Sequence, residues 1–304
     1  MMPKSLVLVF IFLFSTGTFC RAQNPGPQET SDQQISDFSL TGFGERGKKT
    51  WDLAGKSADI FDNVVKLKDI IGNMYGTDED IKLTADKGDF DKREGKVHLQ
   101  ENVIITTSSG AKLTTDSLDW DRKNNVVKTE DQVNIERQNM TTQAKGAIGH
   151  TNLKQVQLQK DVTVNITQEQ KDKTAQDKPA NAGRIVITCD GPLDIDYEKN
   201  IATFRNNVKV DREDSQIYSD IMYVYFVTKN DNKNQGEQDD KNAGLNTSSI
   251  DKIVSQGNVK IVRGENTSYC DEAVYTAADK KITLLGRPKL IIYSSEDMNA
   301  SFGN

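Results

Sequence analysis

Histidine is almost absent from these 304 residues, which hold only His98 and His150, and cysteine is limited to Cys20, Cys189 and Cys270. That scarcity removes most metal-centred and histidine-based chemistry, because such sites need clustered Cys, His and carboxylate ligands, and no Cys/His cluster here has usable spacing. His98 falls on the polar side of an expected strand and His150 follows Gly149 at an expected turn, so both read as surface residues. A concentrated basic face is missing too. The net charge is −6 and the isoelectric point about 5.2, which argues against a nucleic-acid partner. Outside the first twenty residues there is no long apolar run and no helical period of useful length. With 35% apolar and 28% charged residues the chain is lean, yet its apolar residues recur with period two. Leanness therefore means burial of one face, not disorder.

What is present is a repeat. Six times, four positions spaced 0, 2, 6 and 8 recur with mostly apolar residues: Val97/Leu99/Val103/Ile105, Val127/Thr129/Val133/Ile135, Val156/Leu158/Val162/Val164, Ala202/Phe204/Val208/Val210, Ile253/Ser255/Val259/Ile261 and Ile282/Leu284/Pro288/Leu290. A spacing of two puts side chains on one face of a strand. Asn102, Asp131-Gln132, Asp161, Asn207 and Asn258 stand before the third position and read as turns or bulges joining two short strands, since Asn and Asp tolerate the backbone angles required. Pro288 lacks an amide donor and belongs at an edge or kink.

About twelve or thirteen residues before five of the copies stands a small residue, Ala85, Thr115, Ala144, Cys189 or Cys270, and Ser219 fills that slot in a stretched copy. Asp86, Asp116, Lys145, Asp190, Asp220 and Asp271 follow these residues. The unit thus has two halves and a period near thirty. Because the Asp residues occupy one repeat position they read as turn residues; a catalytic carboxylate pair of the kind that cleaves polysaccharides would break the repeat instead. Cys189 and Cys270 read as small buried residues. The Ser219 copy lies between them, which favours two free thiols over a bridge.

Met1 to Ala22 carries Lys4, an apolar run from Leu6 to Phe14, and then Ser15 to Ala22, the pattern of a secretory signal. The run is short for a spanning helix. Cleavage after Ala22, retention as an anchor and lipid attachment at Cys20 stay open. Residues 23–34 read as a disordered leader, with a degenerate opening copy between Ser39 and Ile81. Two polar tracts break the period, 168–184 and 229–249, and they read as a linker and a loop. The expected organisation is a β module over 35–167 and a second over 185–304, in an all-β chain.

The strings LTADKGDFDKREGKVHLQENVIIT, LTTDSLDWDRKNNVVKTEDQVNI and VQLQKDVTVNI resemble LptC, the lipopolysaccharide-export protein of the Gram-negative inner membrane. The later strings ITCDGPLDIDYEKNIATFRNNVKVDREDSQIYSDIMYVY and IVSQGNVKIVRGENTSYCDEAVYTAADKKITLLGRPKLII are similar to the OstA-like domain of LptA, its periplasmic partner. The resemblance implies an open twisted β-jellyroll in two stacked modules, a periplasmic location, and a groove for the acyl chains of lipopolysaccharide. As partners it implies the inner-membrane ATP-driven permease complex, an outer-membrane LptD-type translocon, and head-to-tail self-association through edge strands. No cofactor is expected. The groove candidates are Val97, Leu99, Val103, Ile105, Val133, Ile135, Leu158, Val162, Val164, Phe204, Val208, Val210, Val259, Ile261, Leu284 and Leu290. Trp120, Tyr197, Tyr223 and Tyr225 are candidates for the groove mouth, with a ring inward and a polar tip in water. A secreted structural or adhesive β-repeat protein without lipid cargo is the rival reading.

Overall fold

The computed structural model describes residues 31–293 apart from 45–46, 77–78, 122, 125, 138, 151–154, 168–183, 227–249 and 280. The expected signal at 1–22 with Cys20, most of the leader, the tract 168–183, the loop 229–249 and the tail beyond Tyr293 lie outside the described residues.

Seventeen strands follow one another, with no α-helix among the described residues. They are β1 (Gln33–Phe43), β2 (Lys49–Ile60), β3 (Val64–Tyr75), β4 (Asp80–Asp91), β5 (Lys96–Thr107), β6 (Lys112–Asp121), β7 (Val126–Arg137), β8 (Met140–His150), β9 (Gln155–Thr167), β10 (Arg184–Cys189), β11 (Leu193–Asp196), β12 (Ile201–Arg212), β13 (Ser215–Phe226), β14 (Ile250–Arg263), β15 (Asn266–Thr276), β16 (Lys281–Leu285) and β17 (Lys289–Ile291). All form one antiparallel meander in which each strand pairs with its predecessor and successor. β10 and β11 share one place between β9 and β12, and β16 and β17 both pair with β15, so seventeen strands fill fifteen positions.

Each long strand is bent at mid-length, and the cause is local. In β5 the inward residues are Val97, Leu99, Val103 and Ile105, and strict alternation would point Glu101 inward between them. Glu101 and Asn102 instead take left-handed angles, φ 63° and 53°, the register shifts there, and Glu101 turns outward to Lys87 at 2.7 Å. Asn206 with Asn207, Gly257 with Asn258, and Asp161 repeat the device. The expected turns are therefore bulges inside continuous strands, where Asn and Gly accept the left-handed geometry that other residues resist. At two positions the bend breaks the strand outright, between β10 and β11 and between β16 and β17, and Pro288 sits in the second break.

Together the bulges form an apex along which the sheet folds into two facing walls. One wall carries the Val97/Leu99 halves and the other the Val103/Ile105 halves. The small-residue slot lies inside this apex: Thr115 pairs with Val103, Ala144 with Val133, Cys189 with Val162, Ser219 with Val208 and Cys270 with Val259. All ten are buried. Converging walls leave room for nothing larger. Outside the apex, the repeated Asp accepts from the bulge Asn of the next strand, as in Asn102 to Asp86 at 2.6 Å, Asn207 to Asp190, and Asn258 to Asp220 at 2.8 Å.

Cys189 and Cys270 are free and buried. Four strand spacings separate them, roughly 19 Å at about 4.8 Å each, well beyond disulfide reach. Burial raises both thiols above their ordinary pKa.

The largest buried cluster runs from Val133 of β7 to Phe226 of β13, across the β9–β10 pairing. A second cluster joins β1 to β6, and a small third one lies in β14 and β15. The fold is thus an all-β jellyroll in which the two halves continue one sheet.

Candidate functional site

Between the walls of the later half lies an apolar cavity of about 240 Å³. One wall contributes Val164, Ile166, Ile185, Ile187, Val210, Arg212, Ile217 and Ile261; the other contributes Phe204, Met222, Val224, Ile250, Ile253, Ser255, Ala273, Tyr275, Ala277 and Ile282. A larger concavity of about 620 Å³ lies outside the apex around Lys160, Asp190, Asn206 and Asp220. It is a polar depression open to solvent and offers hydrocarbon nothing.

Of the sequence candidates, Val164, Phe204, Val210 and Ile261 line the cavity. Leu99 and Val103 are buried in the amino-terminal cluster, with Val97 and Ile105 packed against it. Val133, Leu158, Val162 and Val208 are fully enclosed in the junction cluster, with Ile135 alongside. Val259 and Leu284 belong to the small third cluster. Leu290 faces the same interior from the last strand position but is 56% exposed.

The cavity also takes residues the repeat did not single out: Ile166, Ile185, Ile187, Ile217, Met222, Val224 and Tyr275. Most belong to the returning strand of a hairpin, where the repeat registered only the small apex residue. Period two alone would have found Met222, Val224 and Phe226.

The four candidate mouth aromatics divide. Trp120 pairs with Val97 and Val127 on the inward face near the rim. Tyr197, in the turn after β11, packs on the junction cluster and meets Phe226 edge-on at 6.1 Å between centroids. Burial raises the Tyr197 hydroxyl above its ordinary pKa, against the pull of the Arg137 guanidinium, which hydrogen-bonds it from the opposite rim. The two rims therefore touch at the junction. Tyr223 and Tyr225 do not stand at the mouth: Met222, Val224 and Phe226 take the inward positions of β13, so alternation sends both tyrosines outward, where Lys252 lies 5.7 Å from the Tyr225 ring.

Both histidines lie away from the groove. His98 is on the outer face with its Nδ1 2.7 Å from Asp119, and His150 is exposed at the end of β8.

Burial of the interior varies along the sheet. Inward residues from β5 to β14 are largely enclosed, whereas Ile35 and Leu40 on β1 are 45% and 53% exposed and Ile282 on β16 is 51% exposed. The groove is sealed in the middle and open at both ends.

Comparison with curated proteins returns no match. Comparison with protein families returns two. Residues 5–167 match the family described as lipopolysaccharide-assembly, LptC-related, and residues 191–303 match the family described as LptA/(LptD N-terminal domain) LPS transport protein. These are transport families of the periplasm that bind lipopolysaccharide and bridge the inner-membrane Lpt complex to LptD, and they give no support to a structural or adhesive role. With more than half its length matched by the first family and most of the remainder by the second, the chain belongs to the LptC-related lipopolysaccharide-assembly proteins and fuses that domain to an LptA-like one.

Proposed function

We propose that the inward face holds the acyl chains of lipopolysaccharide and that the chain forms two neighbouring segments of the transport bridge as one continuous groove. The observation carrying this reading is the apolar cavity between the walls, bounded by Phe204, Ile217, Met222 and Ile253. Burial of hydrocarbon is non-directional and contributes about 0.8 kcal/mol per methylene, so chains are held without a fixed register and can slide. Matches over 5–167 and 191–303 support a division into an LptC-like part over 35–167 and an LptA-like part over 185–304, and the joint between these parts is strand pairing: Ile166 with Ile185, Val164 with Ile187, and Leu158 with Leu193. A contact that separate modules would make between chains is here part of one folded core, so its formation does not depend on protein concentration.

The exposed apolar residues at the two ends fit docking by strand addition. β1 offers Ile35, Leu40 and Phe43, and the other end offers Ile282 of β16, Leu290 of β17 and Ile292 just after it. In this reading the first end meets the inner-membrane complex, and the last meets the LptD-type translocon or a second copy. An apolar edge left bare invites aggregation. Photocrosslinking in cells tests the groove. A photoreactive amino acid at Ile253, which lines the cavity, should give a lipopolysaccharide adduct, and one at the outward Tyr223 should not; adducts of equal yield, or none at Ile253, would sink the proposal.

A further inference from the structure

The two rims of the groove differ in chemistry. On one rim the inward positions are apolar, with Val156, Ile195, Ala202, Val224 and Ile253 standing on successive strand positions. On the other the outermost inward row reads Arg137, Met140, Ile166, Ile185 and Arg212, each paired directly with the next from β7 to β12. Two strands on, Arg263 follows Ile261 by two residues on β14 and so takes the same inward register. Arg212 itself lines the cavity beside Ile166, Ile185 and Ile217. Of these arginines Arg212 lines the cavity itself, and Arg263 stands exposed on the same inward row two strand positions away.

The nearest carboxylate is shared. Asp214, in the turn after β12, lies 3.2 Å from the Arg263 guanidinium, and its carboxyl is held below the ordinary range by the Ser215 hydroxyl first and by Arg212 and Arg263 after it. Glu213 shares that turn and Glu265 lies in the turn after β14, both exposed, while Glu136 pairs with Lys112 on the outward face. Among the inward positions of this row from β10 to β14 the charged groups are Arg212 and Arg263, with Asp214 beside them in the turn. An arginine suits such a rim, since its stem packs on apolar neighbours while the guanidinium reaches solvent, and its planar fork matches a phosphate in bidentate fashion.

We infer that Arg212 and Arg263 bind the phosphate of a phosphorylated, acylated glycolipid whose chains occupy the cavity below, whereas Arg137, further along the same rim, is engaged with Tyr197. This rests on the acyl-chain reading and adds a polar anchor to it. Sliding hydrocarbon would acquire a preferred height and orientation where the anionic headgroup meets the two guanidinium groups.

The test is equilibrium binding of the full chain to lipid A and to lipid A stripped of its phosphates, at low and high salt. Removal of the phosphates should weaken binding about tenfold at low salt, as expected for charge-assisted contacts at a solvated rim. The Arg212→Gln/Arg263→Gln variant should lose that discrimination while keeping its affinity for the stripped lipid, and Lys260→Gln on the outer face should leave it intact. Equal affinity of the natural chain for both lipids, or discrimination that survives in the double variant, overturns the inference and leaves the acyl-chain reading standing. Binding of neither lipid overturns the acyl-chain reading and this one with it. Displacement of lipid A by millimolar inorganic phosphate would reassign the rim to a free anion.

Discussion

The junction and the two ends of the groove are built from the same repeat and behave oppositely. Phe204 and Leu290 hold inward positions of the same repeating pattern, yet Phe204 is enclosed and Leu290 is mostly open to water. Residue type does not separate them. Phe204 has paired strands on both sides, and the facing wall and rims close over it, whereas Leu290 has a neighbour on one side only. Burial in this architecture is therefore set by how many strands flank a position, and the two ends keep apolar inward residues exposed.

The sharpest way to break the comparison is truncation at each place. Phe204→Ala should cost about 3–5 kcal/mol, the range for a fully enclosed aromatic, and Leu290→Ala less than about 1 kcal/mol, both read from urea midpoints of the whole chain. Similar losses at the two sites would mean that the ends are as tightly covered as the middle. A smaller effect is expected at the apex. Gly257 has φ 75°, and a Cβ there would run into the Asp220 carboxylate, so Gly257→Ala should cost about 1–2 kcal/mol from the left-handed backbone alone, with more from the displaced clasp to Asn258. Gly264 has φ 58° with nothing near its Cβ position, and Ala there isolates the backbone contribution.

The smallest effect belongs to the amino-terminal end, where polar contacts replace core. Asp52 is held at a pKa of about 2, chiefly by Lys49, then by Asn73 and Tyr75. A carboxyl depressed on folding contributes stability that is complete above its unfolded pKa, near 3.9, and is lost as the pH falls through the folded value. The midpoint difference between the natural chain and Asp52→Asn should thus be constant above about pH 4 and vanish towards pH 2, whereas the cost of Phe204→Ala should not change over that window. A difference independent of pH would remove the carboxylate from the account.

Much of this fold was legible in the sequence because a bent strand leaves a fixed imprint: apolar residues at 0, 2, 6 and 8, a bulge residue between, and a small residue at the apex. Val133, Leu158 and Phe204 were found in that way. What escaped had a physical reason. Returning strands such as β10 and β13 carry the bend without an Asn-marked bulge, so Ile185, Ile187 and Met222 left no template. Tyr223 and Tyr225 are large and apolar, but parity, not size, decides the face. Arg137, Arg212 and Arg263 read as scattered charges until strand pairing aligned them. The opening copy between Ser39 and Ile81 proved to be most of three full strands, its pattern diluted by Gly42, Gly55 and Gly72, where Trp51, Phe38 and Leu53 crowd or contact the space a Cβ would fill.

The strictly sequential order of the strands also makes the molecule a ruler. Fourteen spacings of about 4.8 Å span roughly 67 Å along the sheet. Each strand's ladder pairs it only with its neighbours, so duplicating one thirty-residue hairpin would lengthen the channel by about 10 Å and leave every existing pairing intact apart from the insertion point. The distance such a protein covers is accordingly counted in hairpins, and a gap of a different width could be matched by gain or loss of one.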